Sequence, residues 1–321
     1  MLTVGQVQAL TVKGIVSDGG VKDAIFKNHA YLERLRAKQG VYSGEKLTFP
    51  FNFLDDQNTT GSFYKGAGPL TLDMYDPFTE LSFDLIELQE TLVITHRDLA
   101  RNSGKEARLK LVSERLKMME KAMSQRMTRG IFSDGTNATG AMSNDQFVGQ
   151  LAFLKNAAVN YGGVTNADVS VHVAYVSANA GTPRALTTAI HQDVMGGASE
   201  GNVKPTLGIM RQNTMNQFIE LIKPFQRTTR ESTLDGLGHG KNTLVYSGMD
   251  HIVDNLSIAA AITMINEDFV KLYVHPDYDM KHVSKTDLET QDAMLERIFL
   301  KGVYAASVLR YQGIAKDLIV T

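Results

Sequence analysis

Between Lys105 and Arg129 the chain runs without a proline or a glycine, and Leu109, Val112, Leu116, Met119, Met123 and Met127 recur at three- and four-residue spacing. That period places all six on one stripe of an α-helix. At 1.5 Å per residue the helix is about 37 Å long. Ser103 is placed to cap its start, with Glu106 three residues on as in a capping box, and Gly130 is expected to stop it. Any fold for this chain has to be built along that rod.

The rod is also charged. Eight basic residues (Lys105, Arg108, Lys110, Arg115, Lys117, Lys121, Arg126 and Arg129) face three acids, Glu106, Glu114 and Glu120, a net of +5 in a chain whose total is −2. Everything outside the helix therefore sums to about −7. A basic helix face either attracts polyanions nonspecifically or is a solvated face with local salt bridges; both readings stay open here.

The 321 residues suffice for one large domain or two modest ones. No run approaches the roughly 18 apolar residues of a membrane-spanning helix. The start, MLTVGQVQALTVKG, lacks the cationic head and long apolar stretch of a signal peptide, so a soluble chain made in a cytoplasm is expected. There is no cysteine, which excludes disulfides, zinc–thiolate sites and thiol nucleophiles. Methionine is frequent, at 14, and adapts to several packings.

Ahead of the rod, residues 1–30 read as an arm with the breakers Ser17-Asp18-Gly19-Gly20. Asp23 is placed to start a short helix carrying Tyr31, Leu32 and Leu35, which Gly40 would end. Leu47, Phe49, Phe51 and Phe53 alternate as in a strand, and Pro50 confines that strand to an edge. After the polar tip Asp55 to Gly61 the chain returns through Ser62-Phe63-Tyr64, so residues 41–76 read as a long two-stranded hairpin with little core of its own. Such a hairpin is marginal in water by itself. A second extended run follows from Phe78 to Thr95.

Beyond the rod, Ser133 to Gly140 is a turn-rich break, and about 141–262 reads as a mixed α/β unit. Helices are expected over Gln146–Ala158, Thr182–Met195 and Thr214–Ile222, the last capped by Asn213. Strands are expected at Val169–Val176, Leu207–Met210 and Thr243–Tyr246, with apolar runs at Ile258–Ile265, Phe269–Val274 and Leu295–Tyr311.

Catalytic motifs are missing. Gly236-Leu237-Gly238-His239-Gly240-Lys241 looks like a phosphate loop, but Asp235 stands where the first glycine belongs and Asn242 replaces Ser/Thr, so it reads as a turn. His191 with Asp193, and His275 with Asp277 and Asp279, are weak ion-site patterns better read as loop residues. No catalytic residue, cofactor or metal is expected.

The order of these pieces resembles the tailed-bacteriophage major capsid proteins of the Hong Kong 97 type, a fold that encapsulins share. The matching pieces are the arm, the hairpin, the strand leading into the long helix, and the exit turn IFSDGTNATG. After them come a compact unit containing PTLGIMRQNTMNQFI and the closing VLRYQGIAKDLI. The turn Phe132–Thr136 and the closing Arg310-Tyr311-Gln312-Gly313 weigh most.

The resemblance implies an α+β fold divided into an N-terminal arm and short helix (1–40), an E-loop hairpin (41–76), a P-domain (77–133 and 266–321) whose spine helix is 105–129, and an A-domain (134–265). It implies a virion shell subunit, not an enzyme, that assembles with itself as hexamers and pentamers and encloses double-stranded DNA. Scaffolding, portal and decoration proteins would be its other partners, with no membrane. The long charged predomain of some relatives is missing ahead of the arm, so scaffolding would be a separate protein or lost from this chain. Phe51, Phe53, Phe63, Tyr64 and Lys65 would contact a neighbouring subunit, and Lys105, Arg108, Arg115 and Lys121 would face the lumen and its DNA. Some shells of this type cross-link an E-loop lysine to an asparagine; Lys65 lies in that region, but no asparagine stands out as partner. Two other readings remain: an encapsulin-like compartment with protein cargo, and an α/β enzyme of unknown class, which would need a concave site with convergent polar groups.

Overall fold

The computed structural model describes residues 29–52, 66, 78–97, 105–135, 147–155, 160–164, 172–223, 244–285 and 293–319. Asp23, the 55–61 tip, the Ser62–Tyr64 return, Ser103, the 136–140 turn and the 236–241 loop lie outside the described residues.

In chain order, helix α1 (Ala30–Ala37) is followed by β1 (Gly40–Val41), β2 (Lys46–Asn52), β3 (Phe78–Asp84) and β4 (Ile86–Thr95). The spine helix is α2 (Lys105–Phe132), and α3 (Gln150–Phe153) is a single turn after it. Then come β5 (Tyr175–Ser177), α4 (Thr188–Gly197), β6 (Leu207–Met210), α5 (Gln212–Ile222), β7 (Leu244–Tyr246), β8 (Met249–Val253) and β9 (Ile262–Ile265). The chain closes with β10 (Val270–Val274), β11 (Lys281–Lys285), β12 (Ala293–Ala306) and β13 (Gly313–Ala315).

Several expectations shift. The spine helix does not stop at Gly130 but continues to Phe132. A Cβ at Gly130 would sit 3.0 Å from the Phe147 ring, so this glycine admits a close neighbour inside the helix and ends nothing. The strand 46–52 has a described partner farther along the chain than the expected return at Ser62–Tyr64, which lies outside the described residues. It pairs antiparallel with β3, from Lys46 opposite Asp84 to Asn52 opposite Phe78. That register sets Leu47 against Phe83 and Phe49 against Leu81, aligning two apolar rows on one face, and a slip by one residue would turn one row outward.

Among the described residues of the expected 146–158 helix, Gln150–Phe153 is helical, and Ala152, Phe153 and Leu154 are each buried. The helix expected from Thr182 starts at Thr188, because the Thr187 hydroxyl accepts the Ile190 N–H at 3.2 Å and caps it there. The helix expected from Thr214 starts two residues sooner with Arg211 as its cap residue, and the Asn255 side chain takes the Gln212 N–H at 3.3 Å.

Two large sheets organise the molecule. In the first, β12 pairs with β4 along one edge and with β10 and β11 along the other, and β1 extends β10. Along β4, Ile86, Leu88, Glu90, Leu92 and Ile94 alternate with the more exposed Glu87, Gln89, Thr91, Val93 and Thr95. The inward row helps form the main core with Val112, Leu116, Met119, Met123, Met127 and Ile131 of the spine helix.

The second sheet runs β5-β13-β9-β6-β8-β7. Leu207, Ile209, Ile265 and Ile314 belong to the main core, whereas Met210, Ile262, Met264 and Ala315 join a second core with Val194 of α4 and Met215, Phe218 and Ile222 of α5. Apolar material covers this sheet on both faces, which is why β6 and β9 are buried at every position. The last stretch of chain returns from β12 to this sheet through β13.

Candidate functional site

The extended unit formed by β2 and β3 is the first candidate surface. Its inward face is anchored to its own chain: Leu47, Leu81 and Phe83 are buried. Phe49 packs against Tyr273 and Phe83, with ring centroids at 5.2 and 6.2 Å. Outward, Lys46 and Asp84 stand opposite each other and pair at 3.3 Å. Phe51 occupies the distal end of the ladder, opposite Thr79. Phe53, Phe63, Tyr64 and Lys65 lie outside the described residues.

The spine helix is the second. Lys105 and Arg108 are on its first turns. Lys117, Lys121, Arg126 and Arg129 are exposed, as is Met118 at 71%. Two basic groups are engaged on the β4 side: Arg126 pairs with Glu90 at 3.2 Å, and Arg115 donates to the Val93 carbonyl at 3.4 Å. Glu120 is buried, and desolvation raises its carboxyl above the ordinary carboxylate range although Lys117 pulls it down. The exposed charge along 117–129 is therefore basic: Lys117, Lys121, Arg126 and Arg129.

A third constellation escaped the sequence reading. Helix α1 buries Tyr31, Leu32 and Leu35 and turns its basic residues onto the second sheet. Arg34 binds Glu267 through two bonds of 2.8 and 3.0 Å and Asp250 at 3.0 Å. Lys38 reaches Asp268 at 3.0 Å, and His29 lies 3.4 Å from the buried Asp254. Beneath them the Tyr31 and Tyr304 hydroxyls meet at 2.8 Å, and Gln150 donates to Tyr304 at 3.2 Å. Burial raises both phenols. The signal available in sequence was Arg34 with Lys38 at i, i+4 on a helix whose other face is apolar; their acidic partners lie more than 200 positions away.

Neither weak ion-site pattern forms a metal cage. Asp193 accepts from the Tyr175 hydroxyl at 3.0 Å, while His191 turns inward to His251. His275 accepts the Asp277 N–H at 3.2 Å, capping the turn Pro276–Tyr278. Among the described residues no three His, Asp or Glu side chains gather as a metal site, and no helix is long and apolar enough to cross a membrane.

No family model matches the chain, and no curated protein matches it. A docked N-terminal helix, an extended two-stranded unit, a long helix across a sheet and a second sheet under its own helices make up the Hong Kong 97-type capsid fold, and solved structures place the chain there. The cyanophage A-1(L) capsid asymmetric unit superposes with a TM-score of 0.64 at 12% identity, covering 90% of this chain and 92% of that one. The capsid of a native GTA particle gives 0.56 at 14% identity, covering 89% and 90%. A structure of Mycobacterium phage Bobi gives 0.56 at 8% identity, covering 88% and 89%.

Proposed function

We propose that this chain is a major capsid protein, a structural subunit that assembles with itself into hexamers and pentamers of an icosahedral phage head around double-stranded DNA. The observation that carries the reading is the near end-to-end likeness to the cyanophage A-1(L) capsid chain, over about nine-tenths of both chains. This chain has the parts a shell subunit works with, an extended limb and a long helix.

In this reading residues 1–40 are arm and short helix, 41–76 the E-loop, 77–133 and 266–321 the P-domain, and 134–265 the A-domain, with β13 linking the last two. Phe51, Phe53, Phe63, Tyr64 and Lys65 lie over a neighbouring subunit, as aromatic anchors do at interfaces. Lys105, Arg108, Arg115 and Lys121 belong to the lumenal side. Arg115 contributes less to DNA contact than Lys121 because its guanidinium is engaged by Val93, and the exposed Lys117 joins Lys121 as the stronger candidate. The role is structural rather than catalytic, the product resides in the virion, and synthesis takes place in the host bacterial cytoplasm. Scaffolding, portal and decoration proteins are its expected partners.

The test is negative-stain electron microscopy of the purified full chain, alone and co-expressed with a phage scaffolding protein, with absorbance at 260 nm on the same fractions. Shells, tubes or rings of five and six subunits support the reading. Protein cargo in place of nucleic acid would favour the encapsulin-like compartment. A small oligomer that persists with scaffold present refutes the capsid role.

A further inference from the structure

Helix α4 is joined to the second sheet by a contact between two histidines. The Nε2 atoms of His191 on α4 and His251 on β8 are 2.8 Å apart, and both residues are fully buried. The roles of all four ring nitrogens follow from their neighbours. His251 Nδ1–H donates to the Leu244 carbonyl at 3.2 Å, so its Nε2 carries the lone pair, and His191 Nε2–H donates into it. His191 Nδ1 is then a bare acceptor, with no hydrogen-bond partner among the described residues.

The surroundings are built around these rings. Phe218 of α5 stacks on His191 at 5.0 Å and lies 5.1 Å from His251, and Tyr246 of β7 meets His191 edge-on at 5.1 Å. Gly208 of β6 leaves room for the second ring: a Cβ there would sit 2.6 Å from His251 Cδ2.

This arrangement has no place for another proton. On His251 Nε2 it would set two N–H groups head to head across 2.8 Å. On His191 Nδ1 it would create a cation with no acceptor in an aromatic pocket. The ionisable groups on the packed elements are committed elsewhere. Asp193 of α4 is held by Tyr175, Asp250 of β8 by Arg34, and Glu220 of α5 by Lys223 at 3.5 Å; Arg211, between β6 and α5, donates to the Ser257 carbonyl. On β7 the Tyr246 hydroxyl meets Gln192 at 3.5 Å.

We propose that His191 and His251 form a proton-sensitive clasp that holds α4 on the second sheet while both rings are neutral and releases it when they protonate. Burial and the neighbouring ring hold His191 down at about 3, and burial holds His251 at about 4. Release returns both rings to ordinary imidazoles that take up protons readily below about pH 6.5. Release exposes Val194 and Phe218, now buried beneath α4 and α5.

Hydrogen–deuterium exchange on the full chain tests this, following peptides from 188–197 and 112–132 between pH 8 and 5 after correction for intrinsic exchange. Two rings regaining ordinary affinity on opening set a ceiling of about 20-fold lost protection at pH 6 and about 1000-fold at pH 5. The expected result is a fall in that direction for 188–197 with 112–132 unchanged. The double variant His191→Gln/His251→Gln keeps a hydrogen-bonded pair without a titrating group, and its profile should be flat. Asp193→Asn should behave as wild type. The clasp is refuted by a flat wild-type profile, by a double variant that keeps the wild-type slope, or by an Asp193→Asn variant that loses it. Should the double variant fail to fold, the wild-type and Asp193→Asn profiles decide.

Discussion

Strand β12 is 14 residues long and carries three partners, whereas β8, at 5 residues, is the longest strand of the second sheet. The first sheet is held by one long antiparallel ladder under the spine helix. Its β4 edge alternates inward and outward side chains, with water on the outer row. The second sheet is a mixture of short parallel and antiparallel pairs, closed from both sides by apolar side chains. A continuous ladder spreads the loss of one contact over many hydrogen bonds. Short strands depend on the helices laid over them and should open in part before the whole molecule does.

The largest expected effects probe that difference directly. Phe218→Ala in the second core and Ile298→Ala in β12 remove fully buried side chains, at about 3–5 and 2–5 kcal/mol respectively. Their reach should differ. Phe218→Ala should raise exchange in 188–197 and 212–222 while leaving 112–132 protected. Ile298→Ala should lower the denaturation midpoint for every region together. Equal reach for the two variants would mean that one cooperative unit spans both sheets.

Acid should separate the sheets in the same direction. His191 and His251 are lowered on folding, by burial first and in His191 also by its partner ring. The unfolded chain therefore binds more protons at mildly acid pH, and stability falls as pH drops from about 6.5 toward 4. At pH 5 the loss is on the order of 2–4 kcal/mol, read by urea denaturation at pH 7.5 and 5. A midpoint unchanged over that interval would contradict the burial of the pair.

Arg34→Ala comes next. It leaves Asp250, 26% exposed, without Arg34 and Glu267, 10% exposed, with only Lys38 at 3.9 Å, at about 2–3 kcal/mol. The loss should shrink only slightly in 0.5 M salt, because a mostly buried pair is poorly screened. A loss that disappears in salt would show that α1 is held by its apolar face alone.

What the sequence made legible follows the same division. The spine helix was readable because Val112, Leu116, Met119, Met123 and Met127 keep one period and are all buried. The alternation in 46–52 and 78–84 was equally clear, but their pairing was not, since Ser62-Phe63-Tyr64 offered a nearer return and strand partners are chosen by matched faces over long separations. In the second sheet the pattern itself is lost: a strand covered on both sides reads as a short apolar run without period, as LGIM and ITMI do. Of the basic residues read along the spine helix, Lys121 is exposed. The Arg34 cluster and the histidine pair were not visible, because their partners come from distant strands and no local spacing marks them.

The smallest effect sharpens the comparison at the limb that belongs to neither large sheet. Lys46 and Asp84 face each other across β2 and β3, but both side chains are more than half exposed. Water screens such a pair and its side chains lose entropy in meeting, so Lys46→Ala should change stability by less than about 0.5 kcal/mol. Leu81→Ala, one apolar residue of the same limb and fully buried, should cost about 2–4 kcal/mol. A two-stranded unit of this kind has little stability of its own, so its inward row must hold it in place and its polar row is left free for other contacts. Comparable losses for the two variants would reverse that assignment and make the outer row part of the subunit's own core.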